Sequence, residues 1–406
     1  MPFITSKTLY SLIVLLGAAS TSFIVQASPK FGGPGSVGNT IEDNKQDPQK
    51  SWREALADEH DFTFGLDYNV LALSATNTLA GADDSSASGV ARFYGSWDLI
   101  GRESGNTGGI VWKVEHRHSY TDTAPKGFAM DSVGMASMIA PSFSDQGSRL
   151  TNLYWKQKFN GGKTSLLVGF FDTTDYVDVY ALASPWGGFT NLVFSTGAGT
   201  IGLPDDASLG LTAGHMFNDN FYGIASISDG NADSSNPFDG FDSFVNDNQY
   251  FKTAELGWTA SQDRIYTDNI HLTYWHLDGG TKNSTKDSQG VNFSASFFAT
   301  EQIMPFIRGG SSEGDAALLS KSLVAGIGYY GLGAPKNNLG FAMNWGEVND
   351  EIFGSGLDDQ YIAEIYYNIA IGEHINITPD IQYIKNPALS SEDDSWVFGI
   401  RINMKI

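Results

Sequence analysis

Residues 396–406 read Trp-Val-Phe-Gly-Ile-Arg-Ile-Asn-Met-Lys-Ile. Trp396, Phe398, Ile400, Ile402, Met404 and Ile406 stand at one parity, with Val397, Gly399, Arg401, Asn403 and Lys405 at the other. Successive side chains of an extended chain point to opposite faces, so this run has one apolar face and one face bearing full charges. It is about twice the usual strand length of five or six residues. A strand that crosses a bilayer needs roughly 9–11 residues and sets apolar residues outward against polar residues inward. The stretch therefore reads as a transmembrane β-strand.

The same period recurs upstream. Phe62, Phe64, Leu66, Tyr68 and Val70 alternate with Thr63, Gly65, Asp67 and Asn69; Phe93, Gly95, Trp97 and Leu99 alternate with Arg92, Tyr94, Ser96 and Asp98. Ile110, Trp112 and Val114 alternate with Lys113, Glu115 and Arg117. Sixteen such segments are expected, near 61–73, 89–100, 109–120, 150–159, 163–172, 207–216, 220–228, 250–260, 268–277, 289–299, 303–312, 321–330, 338–348, 359–370, 373–385 and 395–405. Residues 190–196 are assigned to a loop. An even count suits a closed barrel, which leaves no edge strand to protect. The expected fold is thus all-β: a transmembrane antiparallel β-barrel of sixteen strands over 61–406. Before it, residues 28–60 are a polar periplasmic segment closing in a short helix around Trp52-Arg53-Glu54-Ala55-Leu56, with Ser51 as its N-cap.

The connections test this arrangement. On these boundaries those after odd strands are long and those after even strands short, as a barrel with outer loops and short periplasmic turns requires. The long set carries 24 acidic against 4 basic residues, so the negative charge gathers at the outer rim.

Composition excludes several alternatives. The chain has 406 residues, a formal charge of -22, 46 glycines and no cysteine. The acid excess argues against nucleic acid, because phosphate contacts need clustered bases. Without cysteine there are no disulfides, thiolate metal sites or cysteine nucleophiles. Mean hydropathy of -0.19 and a single long apolar run rule out a bundle of membrane helices. That run, Leu9 to Val25, follows Lys7 and precedes the small-x-small site Val25-Gln26-Ala27. Residues 1–27 are expected to be a cleaved export signal.

Several blocks resemble the carbohydrate-selective porins of the OprB family. The fullest is Ile377-Thr378-Pro379-Asp380-Ile381-Gln382-Tyr383-Ile384-Lys385-Asn386-Pro387, preceded by Tyr361-Ile362-Ala363-Glu364-Ile365-Tyr366-Tyr367. Lys113-Val114-Glu115-His116-Arg117-His118, Leu153-Tyr154-Trp155-Lys156-Gln157 and Ala254-Glu255-Leu256-Gly257-Trp258 fit further strands of that family. So do Trp275-His276-Leu277-Asp278 and Pro305-Phe306-Ile307-Arg308-Gly309-Gly310. Together they cover residues about 50 to 406; the chain departs by ending in Ile406, where such barrels usually end in an aromatic.

The resemblance implies an outer-membrane barrel that passes sugars or oligosaccharides by passive diffusion. It also implies that the loop after the fifth strand, residues 173–206, folds inward as a constriction. Tyr176, Tyr180, Trp186 and Phe189 of that loop are candidate sugar-stacking residues, since pyranose C–H faces are apolar while the hydroxyls need hydrogen bonds. By parity Arg92, Lys113, Glu115, Arg117, Lys156, Lys158, Glu255, Arg308, Glu364 and Arg401 face the lumen, with the aromatics Tyr94, Tyr154, Trp275 and Tyr366. Opposed acid and base side chains there would set ion preference and meet sugar hydroxyls. The competing reading for each is a salt bridge that stiffens the wall, and a one-residue bulge would reverse any assignment.

A general diffusion porin and a barrel-embedded hydrolase are the alternative functions. No G-x-S-x-G elbow accompanies His215, His271 or His276, so no catalytic residues are assigned. His116 and His118 share a face at i, i+2, but it is the outer face, and no metal or cofactor is expected. Asp205-Asp206 and the other acidic pairs are read as solvated loop tips. Expected partners are sugars, outer-membrane lipid and lipopolysaccharide, and the barrel assembly machinery, with monomer or homotrimer open.

Overall fold

The computed structural model describes residues 52–280 and 285–405. The leader, Ser51 and Ile406 lie outside the described residues. A short helix, α1 (Trp52–His60), precedes sixteen strands: β1 (Phe62–Ala75), β2 (Ser85–Ile100), β3 (Gly108–Ser119), β4 (Gly147–Phe159), β5 (Thr164–Phe171), β6 (Ser208–Met216), β7 (Phe221–Asp229) and β8 (Tyr250–Thr259). The second half comprises β9 (Asn269–Leu277), β10 (Ser288–Ser296), β11 (Ile303–Glu313), β12 (Leu319–Tyr330), β13 (Asn338–Val348), β14 (Gln360–Ile371), β15 (Ile375–Lys385) and β16 (Asp394–Lys405).

Each strand pairs antiparallel with its chain neighbours, and β1 closes on β16 from Asp67↔Lys405 to Ala75↔Val397. Closure leaves no unpaired edge. All sixteen expected strands are present. The widest boundary difference is at β2, which starts at Ser85 rather than 89. Ser85, Ser86, Ala87 and Ser88 carry no apolar alternation, but the upper part of β1 pairs with them directly. Ladder bonds to a formed neighbour override weak local preference.

Leu66, Phe93, Ile110, Leu211, Leu256, Ile270, Ile307, Met343, Ile381, Phe398 and Ile400 stand exposed on the outside of the barrel. A continuous apolar band of this kind is a lipid-facing surface. Inside, Asp67, Glu115, Arg117, Arg308, Glu364 and Arg401 are buried. Facing water or polar partners spares a Lys or Arg the roughly 2–4 kcal/mol cost of the lipid midplane.

The alternation of long and short connections fails at one place: residues 314–318 after β11 are fewer than residues 331–337 after β12. Two connections at the outer end are far longer than the rest, 120–146 and 172–207, and both fold into the barrel. The inward fold of 120–146 was not read from the sequence. Phe128, Val133, Met135, Ile139 and Phe143 of this loop are 0–1% exposed and form one core with Tyr180, Phe189 and Phe194 of the other. Ala140 N donates to Thr190 O at 2.6 Å and Leu192 N to Met138 O at 2.9 Å, binding the two loops into one plug. A loop sequence containing Phe128, Met130, Val133, Met135, Met138 and Ile139 was the available signal, because exposed loops rarely hold so many apolar side chains.

Candidate functional site

The plug does not fill the barrel. It leaves a cavity of about 1340 Å³ bounded by the inner faces of β2–β4, by plug residues 181–192 and, at its far rim, by Asn338, Asn368, Asn376, Asn403 and Lys405 of β13–β16. Strand parity brings Arg92, Lys113, Glu115, Arg117 and Tyr154 to this cavity.

A bulge in β4 shapes the wall further. The register between β3 and β4 shifts so that Lys113 faces Asn152 and Val114 faces Leu150, leaving Thr151 as the extra residue. The shift turns both Asn152 and Arg149 inward, where parity without a bulge would allow only one of them. Asn152 then ties the start of the longer loop to the wall. Its Oδ1 accepts from Asp172 N at 2.7 Å and its Nδ2 donates to Asp175 Oδ2 at 2.9 Å.

The charges on this wall are paired side chain to side chain. Arg92 donates through Nε and Nη2 to the two oxygens of Asp67, at 2.7 and 2.5 Å. Its guanidinium lies 3.7 Å from the ring centroid of Trp186, which the plug presents from across the lumen. Arg117 Nη2 reaches both Glu115 Oε2 and Asp206 Oδ2 at 2.6 Å. Arg149 Nη2 meets Asp205 Oδ2 at 2.6 Å, and Lys113 Nζ lies 3.5 Å from Asp172. Burial beside the neighbouring carboxylate Asp172 pushes Asp206 up to about 6, despite the opposing pull of Arg117. Asp205 and Asp206 are therefore not the solvated loop tip expected from the sequence: they are drawn to two inward-facing guanidiniums.

Four inward charges of β8–β16 meet the main chain of the plug instead. Glu364 accepts from Thr190 N at 2.6 Å and Asn191 N at 3.0 Å. Arg401 donates to Pro185 O at 2.5 Å and Gly188 O at 2.9 Å. Arg308 donates to Ser195 O and Asp178 O, each at 2.7 Å, and pairs with the Asp178 carboxylate at 2.5 Å. Glu255 accepts from Asp178 N at 3.1 Å and from the Tyr222 hydroxyl at 2.9 Å.

Asp178 is the hub of this anchorage. It sits at φ 47, a left-handed conformation that Asp tolerates better than most residues. Gly197 N also donates to its carboxylate, at 2.7 Å, and Gly197 itself has φ 71. The guanidinium of Arg308 holds the Asp178 carboxyl below its ordinary range against the opposing effect of burial. His271 Nε2 lies 2.8 Å from Asp178 Oδ1, and its Nδ1 lies 2.6 Å from Asn269 Oδ1. The amide nitrogen of Asn269 is already given to Tyr222 Oη and Ile265 O, so both ring nitrogens of His271 face acceptors, a pattern the doubly protonated ring satisfies.

This division corrects part of the sequence reading. Glu255, Trp275, Arg308, Glu364 and Arg401 are each 5% exposed or less and do not bound the cavity; they lie behind the plug. Strand parity gave their direction but not what stood in front of them. Tyr176, Tyr180 and Phe189 are also buried in the plug, Tyr180 beneath the Arg308 guanidinium at 4.1 Å, whereas Trp186 borders the cavity. Lys156 is half-buried and outside the cavity lining. Asp67, Arg149, Asp172 and Asp178 were missed, because their roles depend on register or on loop placement. His116 and His118 lie on the outer face, with Nε2 of His118 2.9 Å from the Tyr68 hydroxyl. Among the described residues no group of three His, Cys, Asp or Glu side chains is placed to hold a metal ion.

Comparison with known proteins fits this architecture. The structure of Pseudomonas putida OprB at high pH superposes with a TM-score of 0.68 at 17% identity, over 87% of this chain and 96% of that one. A triple mutant of the Rhodopseudomonas blastica porin gives 0.53 at 12% identity, over 85% of this chain and all of that one. These likenesses concern the fold. No curated protein is matched by sequence. Residues 297–406 match a family model described as "Carbohydrate-selective porin, OprB family". The chain is thus a closed sixteen-stranded barrel of porin-type fold whose C-terminal segment, residues 297–406, matches the model of the carbohydrate-selective OprB porins.

Proposed function

We propose that this protein is an outer-membrane porin for passive, carbohydrate-selective diffusion of sugars into the periplasm. One observation carries the reading: the remaining cavity lies between a plug that presents Trp186 and a wall that presents Arg92, Lys113, Glu115 and Arg117. A sugar offers two kinds of surface, and this passage answers both. Its C–H face stacks on an aromatic ring, and its hydroxyls exchange into the paired acids and bases. Those pairs contact one another through side chains, so a hydroxyl can displace one partner without disturbing the backbone.

Acidic residues of the outer loops surround the mouth and disfavour anions at low salt. In this reading residues 1–27 are removed on export, 28–60 lie in the periplasm and 61–406 form the barrel. The barrel assembly machinery inserts the chain, and lipopolysaccharide surrounds its outer loops.

The deciding experiment is conductance in a planar bilayer. Stepwise channels that close reversibly as millimolar oligosaccharide is added are expected. Conductance indifferent to every sugar tried would remove selectivity and leave a general diffusion porin.

A further inference from the structure

The connection 230–249 between β7 and β8 is built in the opposite sense from the two loops of the plug. Its helical residues 237–247 lie on the outside of the barrel. Phe170 of β5 and Leu209 of β6, both at outward parity near the outer ends of their strands, lie beneath them. Phe238 and Phe241 meet the Phe170 ring edge-on, with centroids at 5.7 and 5.3 Å. A Cβ added to Gly240 would touch Leu209 and Phe170 at 3.4 Å, so the segment lies close against the strands. Phe170 is 4% exposed although it faces outward, because this segment covers it.

The orientation is held by polar bonds. Ser243 Oγ donates to Asp229 Oδ1 at 2.9 Å, and the Tyr250 hydroxyl donates to Phe244 O at 2.9 Å. The buried residues turned toward the barrel are thus Gly240 and Ser243, small or polar. Phe238 and Phe241 touch the barrel only through the Phe170 ring and leave most of their surface open, 66% and 56% exposed, and Val245 is 68% exposed. A helix that closes only on its own protein does the reverse, turning its large apolar side chains inward. An ordered apolar patch on a loop otherwise rich in aspartate marks a contact surface.

Position decides what covers it. Val168 and Leu211, the next outward residues on the same two strands, belong to the exposed apolar band. The helical face continues that band at its outer edge. We propose that residues 237–247 form an interfacial anchor seated in the outer leaflet, with Phe238, Phe241 and Val245 among the acyl chains and Asp239 toward water. This rests on the outer-membrane reading and adds a second mode of lipid contact to it. A short apolar face of this kind sinks about 5–10 Å into the headgroup–acyl boundary.

The absence of cysteine makes a clean test, since each single-cysteine variant of the full chain takes one label. Nitroxide is attached to Val245→Cys, Asp239→Cys and Leu256→Cys barrels in phosphatidylcholine vesicles, and collisions with oxygen are compared with those of a water-soluble nickel chelate. Position 245 is expected to fall short of position 256 on the lipid-facing band, yet to show an oxygen preference severalfold that of position 239. Nickel access at 245 equal to that at 239, with 256 still in lipid, would overturn the anchor alone. Spectral broadening at 245 that grows with protein density would instead make a second copy the occupant, and overturn it too. Water access at 256 would bring down the membrane reading and the anchor together.

Discussion

The inner faces of β2–β4 and of β8–β16 carry the same kinds of charged residue at the same parity, yet they do different work. On β2 and β3, Arg92, Lys113, Glu115 and Arg117 pair with carboxylates or guanidiniums of other side chains and border the cavity. On β8–β16, Glu255, Arg308, Glu364 and Arg401 bond peptide groups of the plug. A side-chain pair can be traded for a solute hydroxyl. A charge committed to buried peptide N–H or C=O groups cannot leave them without exposing unsatisfied groups, at a cost of about 1–3 kcal/mol each. The first wall is therefore suited to selection and the second to holding the device that narrows the passage.

The largest effect should come from the anchoring wall. Arg308→Met leaves the buried Asp178 carboxylate with His271 as its main charged partner, and removing one member of a buried pair costs about 3–5 kcal/mol. A lower temperature for loss of heat-resistant gel migration is expected, with larger and noisier single-channel conductance. Wild-type conductance and sugar block in this variant would break the distinction between the walls.

On the selecting side, Trp186→Ala should weaken sugar block roughly fivefold, equivalent to about 1 kcal/mol of lost stacking, with little change in thermal stability. Block titrations in the bilayer would measure it. If stability fell and block did not, Trp186 would belong with the anchors.

A smaller shift is expected from Arg117→Gln. It removes a base from the cavity lining and should move the reversal potential in a salt gradient toward cation preference. The same substitution size at Arg401, behind the plug, should instead act through stability. Equal shifts at both positions would argue that the plug is not in place.

The smallest effect is a pH step. Asp206 ionises near 6, above the carboxylate's usual 3.8, so it is charged at pH 7.5 and protonated at pH 5. Acidification should move the lumen toward anion preference, and Asp206→Asn should remove that step. Stability follows the same sign: its contribution is present below the unfolded value near 3.8 and is lost as pH rises through about 6. A reversal potential that tracks pH identically in the Asn variant would assign the step to another group.

Much of the barrel was legible before any coordinates. Trp396 through Met404 alternate cleanly because the strand lies between lipid and a polar interior, and each solvent selects its own parity. The site was less legible. Arg149 needed the bulge at Thr151 to be recognised as inward, and a bulge leaves no mark in a composition pattern. Asp205 and Asp206 looked like any acidic loop tip until Arg149 and Arg117 were found beside them.

Sequence alone was enough for the strand number, the lipid-facing band, the parity of the inward charges away from the β4 bulge and the position of the longest loop. These are set by local periodicity, which a two-residue repeat carries wherever two unlike environments meet the chain. The folded barrel was needed to show which inward charges border the cavity and which hold the plug, that residues 120–146 join 172–207 inside, and that residues 237–247 turn outward. Those outcomes depend on contacts between residues such as Glu364 and Thr190, far apart in the chain, where register and packing select one partner among many chemically equal ones.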